Sequence, residues 1–242
     1  MKTKKSRLFL GILILMMALG LSLSTAPAVR AITMADLLGG LDVVVGDKSF
    51  ENWRDYISVG TNGALAVDPS QIFVSIFING VGLYEVDYQT GAMFVGPGQI
   101  QDTRFTYDVR VITGDPKIED NGMDLLSWGL GHNAEANLGR ISISETVTDA
   151  AGNLLGSKLV YDDHGVVVVS DHISWDPPVA QLTVRKDIAL SGDNREGGGA
   201  FMSDFTQTFS QTGKVPEPIS LILLGSGLAG AGLYRRFRKP KG

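Results

Sequence analysis

Phe105-Thr106-Tyr107-Asp108-Val109-Arg110-Val111 alternates apolar and polar side chains at every step. Successive strand side chains point to opposite faces, whereas a helix repeats about every 3.6 residues, so this segment predicts a half-buried β-strand. The same period recurs on either side of it. Ile141, Ile143 and Val147 alternate with Ser142, Ser144 and Thr146. Leu182, Val184, Ile188 and Leu190 alternate with Thr183, Arg185 and Asp187, with Lys186 as the exception. Phe201, Phe205 and Phe209 share one further face. Segments 71–79 and 166–170 are apolar on both faces and predict central strands. Turn signals separate the runs: Asn62-Gly63, Asn79-Gly80, Asp115-Pro116, Asn121-Gly122, Asp176-Pro177-Pro178 and Ser191-Gly192-Asp193-Asn194. Helical signal is thin, with one turn expected at Met34–Leu38. The pattern predicts an all-β fold, an antiparallel β-sandwich with jelly-roll-like connections.

The two ends have a different composition. Lys2, Lys4, Lys5 and Arg7 precede an apolar run, and Ala26, Ala28 and Ala31 follow it, as in a secretory signal peptide. Cleavage after Ala28 or after Ala31 fits; the boundary is drawn at 1–31. An uncleaved N-terminal anchor is the alternative. Near the other end, 219–233 is an apolar stretch that as a helix spans about 22 Å, short of a hydrocarbon core of about 30 Å. Pro216 and Pro218 stop such a helix from extending backward. Arg235, Arg236, Arg238, Lys239 and Lys241 would hold the tail in the cytoplasm.

Pro216-Glu217-Pro218, a Gly-rich apolar stretch and an Arg cluster, in that order, resemble the PEP-CTERM sorting signal of Gram-negative bacteria that make exopolysaccharide. The resemblance implies recognition of Pro216, Glu217 and Pro218 by an exosortase-type membrane protease. It further implies transient anchoring in the inner membrane, then delivery to the cell surface or extracellular matrix. A permanently anchored protein shares this topology. Together with the N-terminal pattern, this divides the chain into a signal peptide 1–31, an ectodomain 32–210, a spacer 211–214 and a sorting segment 215–242. Two further stretches, Val45-Gly46-Asp47-Lys48-Ser49-Phe50-Glu51-Asn52-Trp53 and the pairing of Val184-Arg185-Lys186-Asp187-Ile188 with Thr208-Phe209-Ser210-Gln211, resemble an ectodomain recurrent on PEP-CTERM proteins. That second resemblance brings no activity with it.

Charge is distributed unevenly. Residues 32–215 hold 11 basic and 25 acidic side chains, a formal charge of −14 between two basic ends. A face this acidic disfavours nucleic acid, whose phosphates need neutralising, and suits divalent cations and solubility. The chain has no cysteine. Disulfides, thiolate metal sites, cysteine nucleophiles and a lipoprotein anchor are thereby excluded.

Candidate sites are sparse. Asp115, Glu119, Asp120 and Asp124, with Asn121, form the densest acidic segment, and such oxygen ligands suit calcium; a solvated acidic turn is the competing reading. His164 follows Asp162-Asp163 and His172 follows Asp171, yet no zinc-type spacing is present. No Gly-x-Ser-x-Gly elbow occurs, and no carboxylate pair stands out. Sugar binding would use exposed aromatics, with Trp53, Trp128 and Trp175 as candidates against burial in the core. The expected function is a non-enzymatic, surface-sorted protein. A carbohydrate-binding module for exopolysaccharide is the alternative, and a hydrolase built on Asp162, Asp163 and His164 is a third reading.

Overall fold

The computed structural model describes residues 32–79, 83–114, 117–132 and 137–212. In chain order its elements are β1 (Ile32–Thr33), α1 (Met34–Leu38), β2 (Val43–Val45), β3 (Lys48–Thr61), a 3-10 turn (Pro69–Gln71), β4 (Ile72–Ile78), β5 (Tyr84–Val95), β6 (Ile100–Val111) and β7 (Ile118–His132). There follow β8 (Asn137–Leu138), β9 (Arg140–Asp149), β10 (Leu154–Asp163), β11 (Val166–Val168), β12 (Ser170–Val179), β13 (Gln181–Ser191) and β14 (Ala200–Gln211). They form two seven-stranded antiparallel sheets. The front sheet runs β1-β4-β5-β14-β7-β12, with β8 beside β7; the back sheet runs β11-β10-β9-β13-β6-β3-β2. Consecutive strands repeatedly exchange sheets, at β5–β6, β6–β7 and β11 through β14. The protein is an antiparallel, jelly-roll-like β-sandwich.

Alternation builds the core. From the back sheet, Phe105, Tyr107 and Val109 of β6, Ile141, Ile143 and Val147 of β9, and Leu182, Val184, Ile188 and Leu190 of β13 are buried. They face Tyr88 of β5, Met123 and Leu125 of β7, and Phe205 and Phe209 of β14. Trp53 stacks on Tyr107 with ring centroids 4.2 Å apart, and Tyr88 stacks on Phe205 at 4.5 Å. α1 brings buried Met34 and Leu37 into the same core. Its start is fixed by a capping box: Asp36 N donates to Thr33 Oγ1 (3.2 Å) and Thr33 N donates to Asp36 Oδ2 (3.1 Å).

The inward row also holds charge. Glu145 of β9 is in register with Lys158 of β10 on one side and Lys186 of β13 on the other. All three side chains have no exposed surface. Lys186 Nζ donates to Glu145 Oε2 at 2.5 Å. Lys158 Nζ lies 2.8 Å from Glu145 Oε1 as an ion pair, off the hydrogen-bonding direction. From the front sheet, Gln207 Nε2 donates to Glu145 Oε1 at 3.0 Å, and Gln207 Oε1 accepts from the Tyr107 hydroxyl. Lys186 Nζ also approaches Met123 Sδ (3.5 Å) and lies over the rings of Tyr88 and Phe205. One carboxylate thus gathers partners from both sheets. Burial pulls both lysines below the ordinary ammonium range, Lys158 to about 8.

Several local expectations are corrected by the topology. β4 is not a central strand of alternating neighbours: its outer companion is the two-residue β1, and Phe73 faces solvent. β11 is the outermost strand of the back sheet, with Val166 and Val167 exposed. An unbroken valine run suits any extended chain, edge strands included. Asn121-Gly122 lies inside β7, and Asp176-Pro177-Pro178 lies inside β12, an edge strand. The β12–β7 register shifts between Ser174 and Val179, where two prolines offer no N–H to the ladder. Asn62-Gly63 does form a turn, both residues having positive φ, and Met34–Leu38 is helical.

The stacking of Trp53 on Tyr107 yields a stability prediction. Trp53→Ala removes a core ring, and urea unfolding should show a loss of about 3–5 kcal/mol. A loss within about 0.5 kcal/mol would place Trp53 among surface residues.

Candidate functional site

The outer face of the front sheet carries a groove of about 360 Å³ lined by Phe73, Gln89, Thr90, Gly91, Ser127, Ser203 and Asp204. Strand alternation supplies most of it. On β4, Val74 turns into the core and Phe73 out of it, 47% exposed. On β5, Val86 and Tyr88 are buried, so Asp87 and Gln89 face outward. β14 departs from simple alternation: its register against both β5 and β7 shifts between Met202 and Asp204. This bulge brings Ser203 and Asp204 together onto the outer side, where regular pleating would show one residue. Ser203 Oγ is hydrogen-bonded to Ser127 Oγ at 2.9 Å. Gly91 leaves its stretch of the wall open, since a Cβ there would meet nothing within 4 Å. Farther along the same face, Phe94 and Phe201 pair across β5 and β14, 61% and 47% exposed.

Asp87 and Asp204 are the chemically distinctive groups. Burial, then the Asp204 carboxyl beside it, pushes Asp87 up to about 7. Asp87 Oδ1 and Asp204 Oδ1 are both shielded from solvent without a donor, while Gln89 Nε2 donates to Asp87 Oδ2 at 2.8 Å. Two acceptors facing each other must share a proton or take a donor from a ligand. Sugar hydroxyls are such donors, and Phe73 supplies an apolar platform at the rim.

The residues singled out from sequence lie elsewhere. Trp53 is 5% exposed, and that remainder lines a second pocket of about 490 Å³ with Asn52, Arg54 and Asp108. Its stack on Tyr107 makes it a core residue, not a glycan platform. Trp128 and Trp175 pack half-buried against the core, their Nε1 donating to Asp162 Oδ2 and to the Ile118 carbonyl, both at 2.9 Å. Asp115 falls outside the described residues. Glu119, Asp120 and Asp124 lie along β7, an extended strand in place of a loop. Asp120 and Asp124 are therefore separated by about 13 Å of strand. Asp120 instead pairs with His172 Nε2 (3.3 Å) and accepts from Ser210 N (3.0 Å). Among the described residues no three His, Asp or Glu groups converge as metal ligands. Asp162 and Asp163 end β10 and His164 opens the turn to β11, with His164 Nδ1 2.6 Å from Asp163 Oδ1, whereas His172 belongs to the front sheet. The two histidines therefore share no site.

Asp87 and Asp204 carried a partial signal in sequence, namely polar positions within alternating runs. Their pairing could not be read, because it joins strands more than a hundred positions apart and depends on the β14 bulge.

Pro216, Glu217, Pro218, Arg235, Arg236, Arg238 and Lys239 lie outside the described residues, as do 1–31 and 219–233. Residues 214–239 match the family model of the PEP-CTERM protein-sorting motif. The chain carries a PEP-CTERM sorting signal. Such a signal marks an exported protein sorted through its C-terminus. Among the described residues no helix is long and apolar enough to cross a membrane. No curated protein matches this chain. Solved structures similar to it include TmCBM61 in complex with beta-1,4-galactotriose, at 14% identity and TM-score 0.27, covering 63% of this chain and 86% of that one. The mannan-recognising module TmCBM27 aligns at 10% identity and TM-score 0.28, over 76% of this chain and 96% of its own. The xylan-binding module CBM15 aligns at 14% identity and TM-score 0.25, over 77% and 99%. At these TM-scores the likenesses carry no weight for ligand or activity.

The carboxylate pair predicts a pH signature. Asp87 keeps its proton in the folded chain up to about 7, whereas its ordinary value is 3.8. The folded state then binds more protons across that window, so this group's contribution to stability falls as pH rises from about 4 to 7. Carboxyl NMR should show Asp87 titrating near neutrality, and Asp204→Asn should move it toward the ordinary range. A midpoint near 4 in the unaltered protein would show that the two carboxyls are not paired.

Proposed function

We propose that this is a non-enzymatic exported protein, processed by an exosortase at Pro216-Glu217-Pro218 and delivered as a β-sandwich to the cell surface or its polysaccharide matrix. The match of residues 214–239 to the PEP-CTERM motif carries this reading. The strongly acidic residues 32–215 and the absence of cysteine support an exported, soluble sandwich held by its core. The stretch 1–31 serves as the signal peptide, 32–210 as the cargo and 211–214 as the spacer. Calcium at Asp115, Glu119, Asp120 and Asp124 receives no support from the placement of the last three along one strand.

Processing predicts two masses. The surface form should lack the segment beyond the Pro-Glu-Pro site, and Glu217→Ala should accumulate the full-length precursor in the membrane fraction. A surface form that retains 219–242 would reject processing.

A second reading is favoured by the groove: its floor is the front sheet's outer face, and its ligand is a stretch of extracellular polysaccharide. Phe73 would stack on a sugar ring, while Asp204, Gln89 and Ser203 would bond its hydroxyls. Phe73→Ala should weaken retention in gels containing the host exopolysaccharide about tenfold, corresponding to about 1.4 kcal/mol of lost stacking. Unchanged retention in both Phe73→Ala and Asp204→Asn would remove the groove from consideration.

A further inference from the structure

Among the described residues Asn121 is the one whose buried side chain leaves two polar atoms unpaired. It has no exposed surface, and neither Nδ2 nor Oδ1 has a hydrogen-bond partner. An unpaired buried amide is costly, and two orphaned atoms on one side chain are unusual. Lys158 Nζ is likewise buried without a hydrogen bond, although Glu145 Oε1 is 2.8 Å away.

The topology brings these groups to the same stretch of the core. Asn121 of β7 is in register with Ile173 of β12. The Ile173 side chain lies against Gly156 of β10, where an added Cβ would meet its Cδ1 at 2.9 Å. Lys158 follows Gly156 by two positions, hence on the same face of β10. On the other side, Met123 is two positions from Asn121 on β7, and its Sδ is 3.5 Å from Lys186 Nζ. Asn121 thus sits between Ile173 and Met123, which reach the two strands whose lysines flank Glu145.

Charge balance points the same way. Two buried ammonium groups share one buried carboxylate. Asp171, partly exposed on β12, offers Lys158 further attraction, but its Oδ2 already accepts from Leu159 N at 2.9 Å. A buried cation in excess of its counter-ions is expensive to maintain.

We propose that Lys158 and Asn121 join as an intramolecular amide, with Glu145 relaying the protons, so that a covalent bond links the two sheets. Lys158 Nζ bonds to Asn121 Cγ, and the Cγ–Nδ2 bond breaks. Of the three ammonium hydrogens of Lys158, one stays on the new amide nitrogen. Glu145 passes the other two to Nδ2, which departs as ammonium, and Glu145 ends as a carboxylate paired with Lys186. No oxidant or cofactor enters the balance. Burial favours the step: it holds Lys158 near 8, so the neutral amine is accessible close to neutral pH, and it excludes competing water. The product removes the surplus cation and leaves one carboxylate for one lysine. It would also link β7 to β10 in a chain that has no cysteine for a disulfide.

Tryptic mapping of the full-length protein tests this directly. The link blocks cleavage after Lys158, so peptide 118–140 should appear joined to 141–185, one ammonia lighter than their sum. The joined species should vanish in both Lys158→Met and Asn121→Ala. Recovery of free 118–140 with intact Asn121, and normal cleavage after Lys158, would overturn the proposal. A loss of ammonia confined to peptide 118–140 would equally overturn it, because Asn121-Gly122 can close on its own backbone as a succinimide. A link through Lys186 would overturn the assignment of Lys158.

Discussion

The Glu145 carboxylate is the constraint around which the sandwich is arranged. It occupies an inward position of β9 that the pattern of Ile141, Ile143 and Val147 would give to an apolar side chain. Its oxygens are contacted by Lys158, Lys186 and Gln207, from β10, β13 and β14. Hydrophobic packing is non-directional and tolerates sliding of one sheet over the other. A carboxylate that must meet two fixed donors and a second ammonium does not, and a slip by one residue would turn it out of the core. Gln207, itself bound by Tyr107, carries this registration from the back sheet to the front. The aromatic stacks of Trp53 on Tyr107 and Tyr88 on Phe205 are then held in place around it.

Fixing the inner face also fixes the outer one. Because β5 and β14 present Tyr88 and Phe205 inward, Asp87 must point outward, and the bulge at Ser203-Asp204 brings the second carboxyl beside it. The groove's electrostatics follow from that geometry. The C-terminal sorting signal marks the chain for export, and the outer face of the front sheet combines an apolar rim with unpaired acceptors.

Much of the fold was legible from period-two alternation, because inward positions of β6, β9 and β13 obey it; β14 does not, since its bulge turns Phe201 outward while Phe205 and Phe209 face the core, where one shared face was expected. Lys186 was visible as an exception, yet its reason was not: its partner Glu145 lies 41 positions away and meets it only through the ladder. Local turn chemistry was misleading where the ladder prevailed, as at Asn121-Gly122 within β7. Edge and central strands were confused for β11, since β-branched residues favour extended chain wherever it lies. Tryptophan proved a poor guide to an exposed face: Trp53 is drawn into the core, and Trp128 and Trp175 are half-buried against it. The phenylalanines at 73, 94 and 201 took the exposed positions instead. The sorting signal was readable throughout, being a local string whose meaning needs no tertiary contact.

Equilibrium urea unfolding of Glu145→Gln against the unaltered protein tests the role of the buried carboxylate most directly. Removing the charge leaves two lysines in the core without their common counter-ion, and the predicted loss is about 3–5 kcal/mol. A change below about 1 kcal/mol would contradict that role and show that apolar packing alone sets the register of the two sheets.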